Sequence, residues 1–104
     1  MHRGEIRWHR FKAPDKKRPV LILTREEVIP HLNELTVAPV TSTIRNIPTH
    51  VMLDQRHGMP TQCAIAMDRL QSVPKKSLGA LITTLGDAKL IETRRALLLA
   101  LGYE

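Results

Sequence analysis

The sequence predicts a mainly β domain, α+β in class: a small, strongly bent sheet or barrel packed on one C-terminal helix. Three observations carry this. About five to seven short apolar runs are separated by turn residues, at strand rather than helix length. One of them, Val20-Leu21-Ile22-Leu23, has no polar break, so it is buried on both faces. Only Asp87 to Leu101 keeps a helical period for long. Short strands cannot bury both faces by lying flat, so the sheet must curl around a core that it shares with the helix. At 104 residues and 42% hydrophobic content, residues 1–104 form one domain with one modest core.

In order along the chain, Glu5 to Phe11 alternates apolar and polar. That predicts a half-buried strand with Ile6, Trp8 and Phe11 inward and Arg7, His9 and Arg10 outward. Ala13 to Lys17 is a short basic loop. Pro19 opens the next strand, where a missing N–H matters least. Thr24 and Glu27 have the spacing of a capping box, and Pro30 limits the helix that follows to about one or two turns. Leu35–Thr41, His50–Leu53 and Cys63–Met67 are strands, with a turn over Gln55–Pro60 between the last two. Leu70–Val73 continues the sheet or leaves it, Pro74–Leu78 is one helical turn, and Gly79–Leu85 is the last strand. In the terminal helix Leu90, Arg94, Leu97, Leu98 and Leu101 make one stripe, and Gly102 is the expected left-handed terminator.

The charge narrows the function. Lys and Arg total 16 against 10 Asp and Glu, a net charge of +6 with an isoelectric point near 10.1. On so small a surface this favours polyanions, above all nucleic acid. No basic amphipathic helix points to a membrane surface, and no run of about 18 apolar residues points into one. A single cysteine, Cys63, excludes an internal disulfide and fits a reducing cytoplasm, and no signal segment opens the chain. With three aromatics, Trp8, Phe11 and Tyr103, recognition must lean on hydrogen bonds and phosphate contacts more than on stacking if the ligand is RNA.

The chemistry concentrates at two strand ends. Arg18 stands at the mouth of the buried strand, and its planar fork of donors suits phosphate oxygens. Thr41 ends the run Val37-Ala38-Pro39-Val40 and opens a hydroxyl cluster, Thr41-Ser42-Thr43, followed by Arg45. If the two strands pair, a fixed cation lies beside a fixed hydroxyl. The bland alternatives are a solvated arginine and a hydroxyl that caps its own backbone. Asp68 precedes Arg69 and fits a surface ion pair as readily as a site. Of the five histidines only His50, beside Thr49 at a strand start, suggests a role. None has zinc spacing, and the carboxylates are scattered, so neither metal nor cofactor is expected. Cys63 reads as a small buried apolar residue.

Several segments together resemble the MazF/PemK (Kid) toxins. They are Arg3-Gly4-Glu5-Ile6-x-Trp8, Arg18-Pro19-Val20-Leu21-Ile22-Leu23, Val37 to Ser42, Pro48-Thr49-His50-Val51, Asp68 with Gln71-Ser72-Val73, Leu78-Gly79 and the closing Ala100-Leu101-Gly102. The likeness is collinear and covers nearly the whole chain. It implies an SH3-like barrel, a homodimer, and ribosome-independent cleavage of single-stranded RNA at a short sequence. It also implies a cognate acidic antitoxin. The family's catalytic arginine falls on Arg18 and its threonine on Thr41, and the aspartate of the Kid branch falls on Asp68. The RNA-binding set is expected to include Lys16, Lys17, Ser42, Thr43, Arg45, Asp68 and Gln71.

Two positions depart from the pattern. Ala66 stands where Kid has an arginine. The loop before Arg18 is short and lacks the His-Glu pair of longer members. Attack of a ribose 2′-OH on its own phosphate would need Arg18 as charge clamp or acid and Thr41 as a phosphate or 2′-OH partner. The proton acceptor stays open between His50 and Asp68. Two rivals remain. A gyrase poison of the same barrel would carry a Trp-Gly-Ile tail, but this chain ends Gly102-Tyr103-Glu104. A plain RNA-binding module would not need both Arg18 and Thr41.

Overall fold

In the computed structural model, residues 1–10 and 16–103 are described. Phe11 and the loop positions Ala13–Asp15 lie outside them. Seven strands form one curled antiparallel sheet: β1 (Glu5–Arg10), β2 (Lys17–Ile22), β3 (Glu34–Thr41), β4 (His50–Leu53), β5 (Cys63–Ala66), β6 (Gln71–Pro74) and β7 (Leu78–Thr84). The order is β4-β5-β3-β2-β1-β7, with β6 off this path against β3. β3 is the hub. It pairs with β2 through Val37–Pro39, with β6 through Glu34–Val37, and with β5 through Val40 and Thr41. With β2 on one edge of β3 and β6 and β5 following one another along the other, the sheet curls into a half-barrel, and the helix α1 (Asp87–Leu101) closes the concave side.

The unbroken apolar run of β2 is explained by the packing. Val20, Leu21 and Ile22 are each fully buried. Leu21 joins Ile6, Ala38, Val40, Ile65 and Ala96 on the helix side. Val20 and Ile22 join Ile29, Leu35, Val37 and Val73 on the other side. Fully burying side chains of this size contributes about 1.5–3 kcal/mol each, so β2 anchors both halves of the core.

Three expectations are corrected. First, on β1 it is Trp8 that is open, at 36% exposure, while His9 and Glu5 are buried. Simple alternation fails because the pairing of β1 with β7 shifts register between Ile6 and Arg7 and again between Arg7 and His9. Second, Thr24 caps no helix. The turn Glu26–His31 is a 3₁₀ segment entered at Arg25 without a side-chain cap, and Pro30 lies inside it. Thr24 Oγ1 accepts the Thr36 N–H at 2.7 Å, while the Leu23 N–H donates to the Thr36 carbonyl at 2.9 Å, so Thr24 completes the β2–β3 ladder. Third, the helix bounds and the left-handed Gly102 (φ 77°) are as expected, but the buried stripe is not. Thr93 and Ala96 are its buried centre, Leu90 and Leu97 flank them, and Arg94 and Leu101 are exposed. Small residues let the helix backbone approach the curved sheet, so the leucines end up at the margins.

The turn after β4 is built on its own side chains. Asp54 accepts the Arg56 N–H at 2.9 Å, and the Asp54 N–H donates to His57 Nδ1 at 3.1 Å. The Arg56 guanidinium pulls the Asp54 carboxyl down to about 2. Gly58 ends the turn at φ 90°, and Thr83 Oγ1 of β7 donates to the His57 carbonyl at 3.0 Å. This fixes the course of Met59-Pro60-Thr61.

Candidate active site and nucleic-acid interface

Arg18 and Thr41 line one cleft of about 410 Å³, together with Trp8, Ser42, Thr43 and Thr61. The strand register brings them there. Val20 pairs with Pro39; carried two residues further, the same register sets Arg18 opposite Thr41. Arg18 is exposed at the strand mouth and Thr41 is half-buried. The Thr43 N–H donates to Thr41 Oγ1 at 3.1 Å. That bond is the local backbone cap that a strand-end threonine can make. It also holds the hydroxyl in place while leaving its proton to donate. The cleft therefore joins an always-charged planar cation to an oriented hydroxyl, the two groups a phosphodiester needs.

Cys63 forms part of the cleft wall but is buried. Burial pushes its thiol up, and the Asp54 charge adds to the effect, so it is no nucleophile at neutral pH. Among the described residues no carboxylate or imidazole lines this cleft. Nor do three His, Cys, Asp or Glu side chains come together anywhere among them.

The other expected residues spread out. Ser42 and Thr43 line the cleft. Lys17, next to Arg18 on β2, lines a neighbouring cleft instead. Lys16 and Arg45 are exposed outside both. Gln71 lies elsewhere on the sheet, and Asp68 in the turn that follows β5. Thr41 pairs with Ala64 of β5, whereas Asp68 follows the far end of that strand and Gln71 pairs with Val37. Asp68 Oδ1 is 3.6 Å from His50 Nε2, and the His50 side chain is 4% exposed. Ala66, opposite His50, is buried in the sheet. Sequence reading missed Trp8, which lines both clefts. The available signal was its setting, a lone tryptophan beside His9 and Arg10.

Residues 2–101 match the family of PemK-like, MazF-like toxins of type II toxin–antitoxin systems. The chain belongs to this family. Endoribonuclease MazF3 of Mycobacterium tuberculosis is 48% identical over 65 residues, a match spanning 62% of this chain and 63% of that relative's length. The solved Mycobacterium tuberculosis toxin MazF-mt6 superposes with a TM-score of 0.87 at 36% identity, covering 96% of this chain and 98% of that one. An endoribonuclease from a Mycobacterial species, solved in complex with its cognate antitoxin, reaches a TM-score of 0.88 at 22% identity, over 100% and 97% of the two chains. At that identity it supports the fold alone. No helix among the described residues is long and apolar enough to cross a membrane. The half-barrel with its terminal helix is thus that of a PemK/MazF toxin.

Proposed function

We propose that this PemK/MazF-family toxin is a ribosome-independent endoribonuclease that cuts cytoplasmic single-stranded RNA at a short sequence and arrests growth until an acidic antitoxin neutralises it. The observation that carries the reading is the meeting of Arg18 and Thr41 in one cleft, with the threonine hydroxyl held by the Thr43 N–H. The activity named for the mycobacterial relatives agrees with it.

In the proposed reaction the ribose 2′ oxygen attacks the adjacent phosphorus. A P–O2′ bond forms, the P–O5′ bond breaks, and a 2′,3′-cyclic phosphate and a 5′-hydroxyl result. One proton leaves the 2′-OH and one reaches the departing 5′ oxygen. Arg18 stabilises the extra charge on the phosphoryl oxygens and supplies a donor toward the leaving oxygen. A guanidinium offers donors and no acceptor, so Arg18 is no base. Thr41 donates to a non-bridging oxygen or orients the 2′-OH. His50 and Asp68 stand apart from this cleft, so the 2′ proton passes to the phosphate or to water, and catalysis rests on alignment and charge. A chemistry of this kind requires no metal.

A homodimer would double the basic groove into a track long enough for several nucleotides. An acidic, partly disordered antitoxin would lie in the same groove near Lys16, Lys17, Arg18 and Arg45. Expression of the chain alone should arrest growth, and co-expression with its acidic partner should restore it. Normal growth with abundant folded protein would contradict the toxin reading. Sedimentation of the purified chain at micromolar concentration reads the dimer directly.

A further inference from the structure

We infer that the cleft beyond Trp8 is a second RNA subsite, in which Trp8 stacks a base and Arg10, Lys17 and Lys76 hold the adjoining phosphate. The inference rests on the RNA-cleaving reading of the first cleft. The second cleft, of about 300 Å³, adjoins the first across Trp8, which lines both. Its cations come from three elements: Arg10 from β1, Lys17 from β2 and Lys76 from the 3₁₀ turn Lys75–Ser77. Arg10 and Lys17 are direct cross-strand partners. Like charges set opposite one another on a ladder repel, which costs stability unless an anion lies between them. Among the described residues no acidic side chain lines this cleft and none forms an ion pair with any of the three cations. A concave patch of one sign focuses its field on an incoming polyanion.

The tryptophan fits a nucleic acid strand. Trp8 and Arg10 are two residues apart on β1, so they share a face about 7 Å apart, as do their partners Pro19 and Lys17. An indole exposed at 36% beside three cations offers a face on which a base can stack. RNA held at Arg18 and Thr41 would therefore continue past Trp8 with a base on the indole and its phosphate among the cations. Gly79 leaves the floor of this cleft open. Arg7 donates to its carbonyl at 2.9 Å, and a Cβ there would sit 3.7 Å from the Trp8 carbonyl oxygen and 3.8 Å from its Cβ, in ordinary contact. Gly79→Glu therefore places a carboxylate in the cleft without forcing the backbone.

The test is steady-state cleavage of two synthetic RNAs, a short one spanning only the first cleft and one extended by several nucleotides at both ends. For the long RNA, Trp8→Ala should lower kcat/KM roughly tenfold or more through KM, with kcat retained. The triple variant Arg10→Gln, Lys17→Gln, Lys76→Gln should flatten the dependence of log kcat/KM on log salt by about 0.7, the share of the one phosphate no longer neutralised. Gly79→Glu should act in the same direction. On the short RNA Gly79→Glu should match the wild type, Trp8→Ala and the triple variant should lose less than on the long RNA, and melting temperatures near the wild-type value show that all three fold. A control triple, Arg25→Gln, Arg94→Gln, Arg95→Gln, removes equal charge outside both clefts and should leave the salt dependence nearly unchanged. Wild-type behaviour of the variants on the long RNA, or equal losses on both RNAs, would overturn the second subsite while the cleavage reading stands. A change of sedimentation with RNA kinetics untouched would assign the cleft to a protein interface and overturn it too. A wild-type protein that cuts neither RNA would bring down the functional reading itself.

Discussion

Arg18→Ala should lower RNA cleavage by about 100-fold to 1000-fold, the usual cost of removing one preorganised charge-stabilising donor, about 3–4 kcal/mol of transition-state binding. The melting temperature should hardly change. Arg18 is exposed at the mouth of β2, so its truncation opens no cavity, and the strand stays anchored by the fully buried Val20, Leu21 and Ile22. Arg18→Lys should recover only part of the rate, because a point charge replaces the planar fork. Thr41→Val removes the hydroxyl at nearly constant volume. It leaves the Thr43 N–H without its acceptor, but Thr43 is exposed and water can take over, so the loss should again fall on kcat rather than on stability. Cleavage assays run beside thermal melts separate the two effects. Unfolded Arg18→Ala or Thr41→Val protein would show that these residues serve the fold, not the chemistry.

The largest effect on stability is expected at Gly58. At φ 90° the left-handed backbone costs an alanine about 1–2 kcal/mol. An added Cβ would also overlap Thr83 Oγ1 and stand 2.7 Å from Thr83 Cβ. Thr83 would have to turn away and give up its 3.0 Å bond to the His57 carbonyl, a further loss of about 1 kcal/mol, with overpacking adding about 1–3 kcal/mol. Gly58→Ala should therefore destabilise by about 3–5 kcal/mol, which for a domain of this size lowers the melting temperature by roughly 15 °C or more. Because Thr83→Ala already removes Oγ1 and its bond to the His57 carbonyl, leaving only the Cβ contact, Gly58→Ala with Thr83→Ala should be less destabilised than the sum of the single changes. Strict additivity in denaturant melts would remove the steric account. The turn also positions Met59, Pro60 and Thr61 along the cleft that holds Arg18 and Thr41, so Gly58→Ala protein folded at low temperature should lose the proposed activity as well.

How far the sequence could be read depended on what each pattern assumes. The buried run of β2, the β4 bounds and the terminal helix were legible because burial on both faces, turn residues and a long helical period leave little choice. That Arg18 and Thr41 stand side by side was legible because Arg18 opens one apolar run and Thr41 closes another, and the two runs pair antiparallel. Trp8 and His9 were not. Alternation assumes an even ladder, and β1 shifts its register against β7 twice within four residues, Ile6 to His9. Thr24 had the spacing of a helix cap, but the Thr36 N–H at the end of the β2–β3 ladder competed for its oxygen. The helix stripe was misplaced because the curve of the sheet, invisible in the sequence, favours small residues at the point of closest approach. Asp68 and Gln71 follow the Thr41-bearing strand in sequence, yet β5 carries them away from Thr41, a consequence of which end of β3 each strand meets.

Chemical analysis of RNA ends tests the central claim most directly. Purified protein is incubated with single-stranded RNA in EDTA, and the fragments are mapped and their termini identified. A 2′,3′-cyclic phosphate on one side of the cut and a 5′-hydroxyl on the other are expected. Cutting should stop when the scissile nucleotide alone is made 2′-deoxy, since the attacking oxygen is then missing. Fragments ending in 3′-hydroxyl and 5′-phosphate, cleavage of the deoxy-substituted RNA, or activity abolished by EDTA and restored by Mg²⁺ would contradict cleavage by Arg18 and Thr41 acting on an internal nucleophile.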